Sequence, residues 1–87
     1  MYEIELRKQV LRFIDKRTPK EKTRITNIFL KLKADPYRSD LDIKKLQGRP
    51  NVYRLRIGKY RFLYKIIENR LLIFMQKADT RGDIYKG

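Results

Sequence analysis

The chain has 87 residues, with 23 Lys and Arg against 10 Asp and Glu, a net charge of +13 and a pI near 10.3. That length suits a single domain spanning 1–87, and with 41% apolar residues it can build one core. The absence of Cys and His excludes disulfides, thiolate or imidazole metal sites, cysteine nucleophiles and every histidine-based hydrolytic mechanism.

Residues 2–6 alternate, with Tyr2, Ile4 and Leu6 on one side and Glu3 and Glu5 on the other, which predicts a short half-buried strand. Over 8–17 the period changes: Val10, Phe13 and Ile14 lie at i, i+3 and i+4 among Lys8, Arg12, Lys16 and Arg17, the pattern of an amphipathic helix. Thr18-Pro19-Lys20-Glu21 then combines an N-cap, a proline suited to the first turn and a capping box. Behind it Ile25, Ile28, Phe29 and Leu32 form one helical stripe, and Asp35-Pro36 ends the helix near Ala34. So short a link predicts that the two helices pack as a hairpin.

Residues 36–51 read as a polar connection with spaced anchors at Tyr37, Leu41, Ile43 and Leu46. Three strands follow, over 52–57, 60–67 and 70–78, separated by Gly58-Lys59 and Glu68-Asn69. The predicted order is β-α-α-β-β-β, an α+β fold with a helical hairpin on one face of an antiparallel sheet. The longest wholly apolar run, Leu71-Leu72-Ile73-Phe74-Met75, is far short of the about 20 residues of a membrane helix. The opening MYEIELRKQV carries charges where a signal peptide has an apolar stretch. A soluble, cytoplasmic protein without a membrane partner is expected.

The charge is unevenly spread. Residues 1–43 net +4, residues 44–70 net +8 and the remainder +1. A concentrated cationic middle third points to a polyanionic partner, foremost a nucleic acid. Strand parity sharpens this. With Tyr53, Leu55 and Ile57 facing the helices, Arg54 and Arg56 share the opposite face; with Phe62, Tyr64 and Ile66 inward, Arg61 and Lys65 join them. Like charges crowded on a sheet are destabilising, so a phosphate held by arginine forks is the natural counterpart. Lys44, Lys45, Arg49 and Lys59 extend the basic surface.

Other chemistry fits less well. Asp40 with Asp42, and Asp79 with Asp83, are isolated pairs of the kind that turns favour, and no metal or cofactor is expected. Ser39 has no histidine to activate it, and no carboxylates stand at catalytic spacing. Arg, Lys and Tyr remain, able to bind a phosphate, stabilise its developing charge and, for Tyr or a Lys with a lowered pKa, move a proton.

Lys45-Leu46-Gln47-Gly48 followed by Val52-Tyr53-Arg54-Leu55-Arg56-Ile57-Gly58-Lys59-Tyr60-Arg61-Phe62-Leu63-Tyr64, with the closing Arg81-Gly82-Asp83-Ile84-Tyr85, resembles the signature of the RelE/ParE toxin superfamily over nearly the whole chain. The resemblance implies the toxin of a toxin–antitoxin pair with an acidic antitoxin. RelE-like members act on the ribosome and cleave mRNA in the A site by 2′-OH attack on the adjacent phosphate, with no metal. It places the family's functional positions on Arg54, Arg56, Arg61, Arg81 and Tyr85. Arg61 and Arg81 would clamp the scissile phosphate, Tyr85 would stack on or orient the nucleotide, and Arg54 and Arg56 would bind the flanking backbone or stabilise charge. Some members have Lys where this chain has Arg54 and Arg56, and an arginine cannot act as a base. The proton acceptor is then open between Tyr85, Lys59, Lys65 and a purely electrostatic reaction. The alternative within the superfamily is a ParE-like protein that inhibits DNA gyrase by binding it without cutting RNA.

Overall fold

The computed structural model describes residues 1–80. Strand β1 (Glu3–Leu6) leads into helices α1 (Lys8–Asp15) and α2 (Pro19–Ala34). Strands β2 (Asp42–Lys45), β3 (Val52–Ile57), β4 (Tyr60–Ile67) and β5 (Leu72–Asp79) follow, with a 3-10 turn over Glu68–Arg70 before the last. They make one five-stranded sheet in the order β1-β5-β4-β3-β2. The expected α+β architecture is present with two additions. The segment 36–51, expected as a connection only, contributes the edge strand β2, antiparallel to β3. At the other edge β1 pairs in parallel with β5, so the sheet is mixed. Among the described residues no helix is long and apolar enough to cross a membrane.

Helix α2 starts as its sequence demands. The Thr18 hydroxyl accepts from the Glu21 backbone N–H at 3.2 Å, and the Glu21 carboxylate accepts from the Thr18 N–H at 3.0 Å. The other Glu21 oxygen accepts the Tyr60 hydroxyl at 2.5 Å, tying the start of α2 to the start of β4. Just past the far end of α2, the Tyr37 hydroxyl donates to Glu68, just after β4. The helix therefore runs along β4. Its 16 residues span about 24 Å, and the strand's 8 span about 26 Å. The match lets one apolar stripe cover one strand from end to end.

The core lies between that stripe and the sheet. Ile25 and Leu32 from α2 and Val10 from α1 are buried against Leu55, Phe62, Tyr64, Ile73 and Met75, with Phe29 closing the layer. Phe62 packs edge-on against Phe29 at 5.3 Å and against Phe13 at 5.9 Å. Strand β5 reaches the core with an irregular spacing. Leu63 pairs with Lys77 but Tyr64 pairs with Met75, so Gln76 is an extra residue in β5. This bulge keeps Met75 and Ala78 both on the helix side, which strict alternation would forbid. Beyond the end of β1, the Gln9 side-chain amide takes over its place beside β5: it donates to the Ala78 carbonyl at 2.7 Å and accepts the Ala78 N–H at 2.8 Å.

Replacing Phe29 with Ala should cost about 3–5 kcal/mol, because it removes a ring at the centre of the helix–sheet contact. For a domain of this size the thermal midpoint should fall by at least about 12 °C. A melt within a degree or two of the unmodified protein would take Phe29 out of the core.

A pH dependence follows from Glu68, whose carboxylate accepts hydrogen bonds from both the Tyr2 and the Tyr37 hydroxyls. These bonds hold its pKa below the ordinary glutamate value and hold the two phenols above theirs. A carboxyl depressed in the folded state contributes stability that is complete above its unfolded pKa of about 4.3. That contribution is lost as pH falls through the lower, folded value. Denaturation series should show stability falling from about pH 4.5 downward, and Glu68→Gln should flatten that slope. Glu21, depressed chiefly by its Tyr60 bond, and Asp40, depressed chiefly by its Arg38 bond, add to the same slope. An acid slope identical in Glu68→Gln would exclude this carboxylate as a source.

Candidate nucleic-acid interface

The sheet face turned away from the helices is set by register. Asp42 on β2 stands opposite Arg56 on β3, Arg56 opposite Arg61 on β4, and Arg61 opposite Asp79 on β5. Four strands thus carry one row of side chains, acidic, basic, basic, acidic. The next row reads Lys44, Arg54, Leu63 and Lys77, and the one after it includes Val52 and Lys65. Across the sheet, Glu3 and Glu5 of β1 lie on the same face, opposite Leu72 and Phe74. The face is polarised, cationic over β2, β3 and β4 and anionic at the β1 edge.

Each central arginine is held by an acceptor outside its own pair. Arg56 Nε donates to the Gly58 carbonyl at 3.1 Å, and Arg61 Nη1 donates to the Thr80 carbonyl at 3.3 Å. Arg54 Nη2 binds Asp42 Oδ1 at 2.9 Å. These tethers fix the guanidiniums, while the remaining N–H groups of Arg56 and Arg61 keep donors for a ligand. The like-charge pair Arg56–Arg61 is unfavourable in a bare sheet, and the carboxylates at either end of the row offset it. The Arg54 side chain is only 11% exposed. It lies in the row of Leu63, which with Leu46 and Val52 forms a small apolar cluster on this face. Its Nε–H is buried with no hydrogen-bond partner among the described residues.

The positions proposed from sequence divide into three groups. Arg54, Arg56, Arg61, Lys44 and Lys65 share the face. Arg49 lies in the β2–β3 loop, in a groove with Lys44, Leu46 and Gln47. Lys45 pairs with Tyr53 and has the opposite parity. Lys59 sits in the β3–β4 turn, its ammonium 5.6 Å from the Tyr60 ring centre, beside Glu21 and Arg24. Neither reaches the arginine row. Arg81 and Tyr85 lie outside the described residues.

Two members of the row were missed. Asp42 belongs to a four-residue strand with one apolar side chain, Ile43, too little alternation to announce a strand. Asp79 ends β5 beyond the bulge, where counting by twos loses the face. The expected sheet lacks β2, so it offers no place for Asp42 beside the arginines. Pairing with β3 brings Asp42 into the row.

No family model matches the chain. A curated relative from Methanocaldococcus jannaschii that carries the toxin name RelE1 is 31% identical over 86 residues, covering 98% of this chain and 96% of its own. The archaeal RelE–RelB complex from Pyrococcus horikoshii superposes with a TM-score of 0.82 at 27% identity, covering 93% of this chain and 96% of that one. The RelB–RelE antitoxin–toxin complex from Methanococcus jannaschii gives 0.72 at 25% identity, covering 93% and 94%. Nearly complete coverage in both directions, in sequence and in fold, joins the cationic sheet face to a single family: the chain belongs to the RelE toxin superfamily.

Proposed function

We propose that this protein is the toxin of a toxin–antitoxin pair and cleaves mRNA in the ribosomal A site, in the cytoplasm, by attack of a 2′-OH on the adjacent phosphate. The observation that supports this best is the pair Arg56 and Arg61, cross-strand neighbours that are each tethered to a backbone carbonyl. Two guanidiniums restrained side by side suit the oxygens of one phosphoryl group. As the 2′ oxygen attacks, negative charge grows on those oxygens, and preorganised donors stabilise it without reorganising. The positive charge needed comes from the side chains, so the proposed reaction uses no metal. Lys44, Lys65 and Arg49 suit the neighbouring phosphates and set position rather than rate. Lys45 and Lys59, which face elsewhere, suit docking on the ribosome. Arg81 as a second phosphate clamp and Tyr85 as a nucleotide stacker rest on the family resemblance.

The partner assigned is an acidic antitoxin. A surface of +13 attracts RNA indiscriminately when uncovered, and the relatives from Pyrococcus horikoshii and Methanococcus jannaschii were solved bound to RelB. The relatives compared carry RelE names, which does not favour the gyrase alternative.

Single-turnover cleavage of ribosome-bound mRNA at saturating protein tests the reading. Arg61→Ala and Arg56→Ala should each slow cleavage by about 10²–10³-fold with near-normal ribosome binding. Wild-type rates in both at saturation would reduce the row to a docking surface. Unchanged transcripts together with inhibited gyrase would overturn the reading outright. Lys44→Ala and Lys65→Ala should instead weaken RNA binding and lower the salt dependence by about one ion each, leaving the saturated rate unaltered. A slowed saturated rate would move either lysine into the chemistry.

A further inference from the structure

Resting on the reading as an RNA-cleaving toxin, we infer that Asp42 is the general base that takes the proton from the attacking 2′-OH. A group that takes that proton speeds the step, and this chain has no histidine. Arginine stays protonated and cannot serve. Of the lysines weighed from sequence, Lys59 faces the α2 side, over the Tyr60 ring. Lys65 lies four residues along β4 from Arg61, about 13 Å away at the rise of a strand.

Asp42 stands in the row itself, one strand from Arg56 and two from Arg61. Neighbouring strands are about 4.8 Å apart. A phosphate seated between the two arginines therefore brings its adjoining ribose within reach of the carboxylate. The side chain is 52% exposed on the open face and is fastened through Oδ1 to Arg54 Nη2 at 2.9 Å. Arg54 is itself held by the packing of its stem beside Leu63 and is only 11% exposed, so it acts as a positioning residue that aims the carboxylate at the site.

The step balances. The 2′-O–H proton passes to the Asp42 carboxylate as the 2′-O–P bond forms. The P–O5′ bond breaks with its electron pair leaving on O5′, which is protonated by solvent water. Asp42 then returns its proton to solvent, and the products are a 2′,3′-cyclic phosphate and a 5′-OH.

The substitutions at residue 42 separate basicity from position. Asp42→Asn keeps an acceptor oxygen for Arg54 at nearly the same volume but takes no proton. Asp42→Ala removes both functions, and Asp42→Glu keeps the base on a longer arm. In single-turnover cleavage of ribosome-bound mRNA, Asp42→Asn and Asp42→Ala should both be slowed by about 10²–10⁴-fold with half-saturating concentrations unchanged. Asp42→Glu should recover part of the rate, and thermal melts should show all three folded. Three results would overturn the inference while leaving the RNA-cleavage reading intact. One is Asp42→Asn cutting at the wild-type rate with only Asp42→Ala slow, which would mean that the carboxylate merely holds Arg54. Another is both variants cutting normally while binding RNA more tightly, which would mean that it only balances charge. The third is Asp79→Asn stopping cleavage where Asp42→Asn does not. Wild-type protein that leaves ribosome-bound mRNA uncut would overturn the cleavage reading and this inference together.

Discussion

The two-residue turn between β3 and β4 controls what the open face of this protein carries. Gly58 has φ of +59° and connects Ile57 to its cross-strand partner Tyr60, while Lys59 keeps a negative φ, the backbone pattern of a type II′ hairpin. Its register sets Arg56 against Arg61 and Leu55 against Phe62, one pair on each face. A slip of one residue would send the arginines toward the helices and the aromatic residues into water, so burial of the core and exposure of the cations are the same event. A side chain at residue 58 would be strained at that φ and would meet the Arg24 guanidinium at 3.1 Å. The same residue's carbonyl tethers Arg56. One glycine thus serves the turn, the packing of α2 over it and the orientation of a site residue.

Holding two guanidiniums on facing positions costs electrostatic energy, and the fold distributes that cost over its neighbours. Asp42 and Asp79 end the row, and backbone carbonyls at Gly58 and Thr80 accept from the arginines. The helix face supplies the stability that makes such crowding tolerable. Glu21 and Glu68 fasten the two ends of α2 to the two ends of β4 through Tyr60 and Tyr37, and Arg17 lies over the rings of Phe13 and Tyr60 at 4.3 and 4.8 Å. Gln9 fixes β5 at Ala78, one residue before the Asp79–Thr80 pair that meets Arg61. The positions of the site side chains are therefore set from the far side of the sheet, by contacts on the helix face.

Much of this was written in local pattern. The cap at Thr18, the stripe of Ile25, Phe29 and Leu32, and the alternation through β3 and β4 are short-range signals, and each specifies its element without help from elsewhere. They were enough to place Arg54, Arg56, Arg61 and Lys65 on one face, because parity in a strand is a property of the strand alone. Three features needed the tertiary structure. Asp42-Ile43-Lys44-Lys45 becomes a strand only because β3 offers a free edge to pair with; its own alternation is too brief. The bulge at Gln76 shifts β5 by one residue to keep Ala78 in the core, and only the partner strand reveals the shift. The parallel pairing of β1 with β5 depends on where two helices and three strands return the chain. Charge composition determined that the surface is strongly cationic, with a net charge of +13. Which cations converge, and which carboxylates stand among them, was decided by cross-strand register, because that register joins residues far apart in the chain and no local period encodes it.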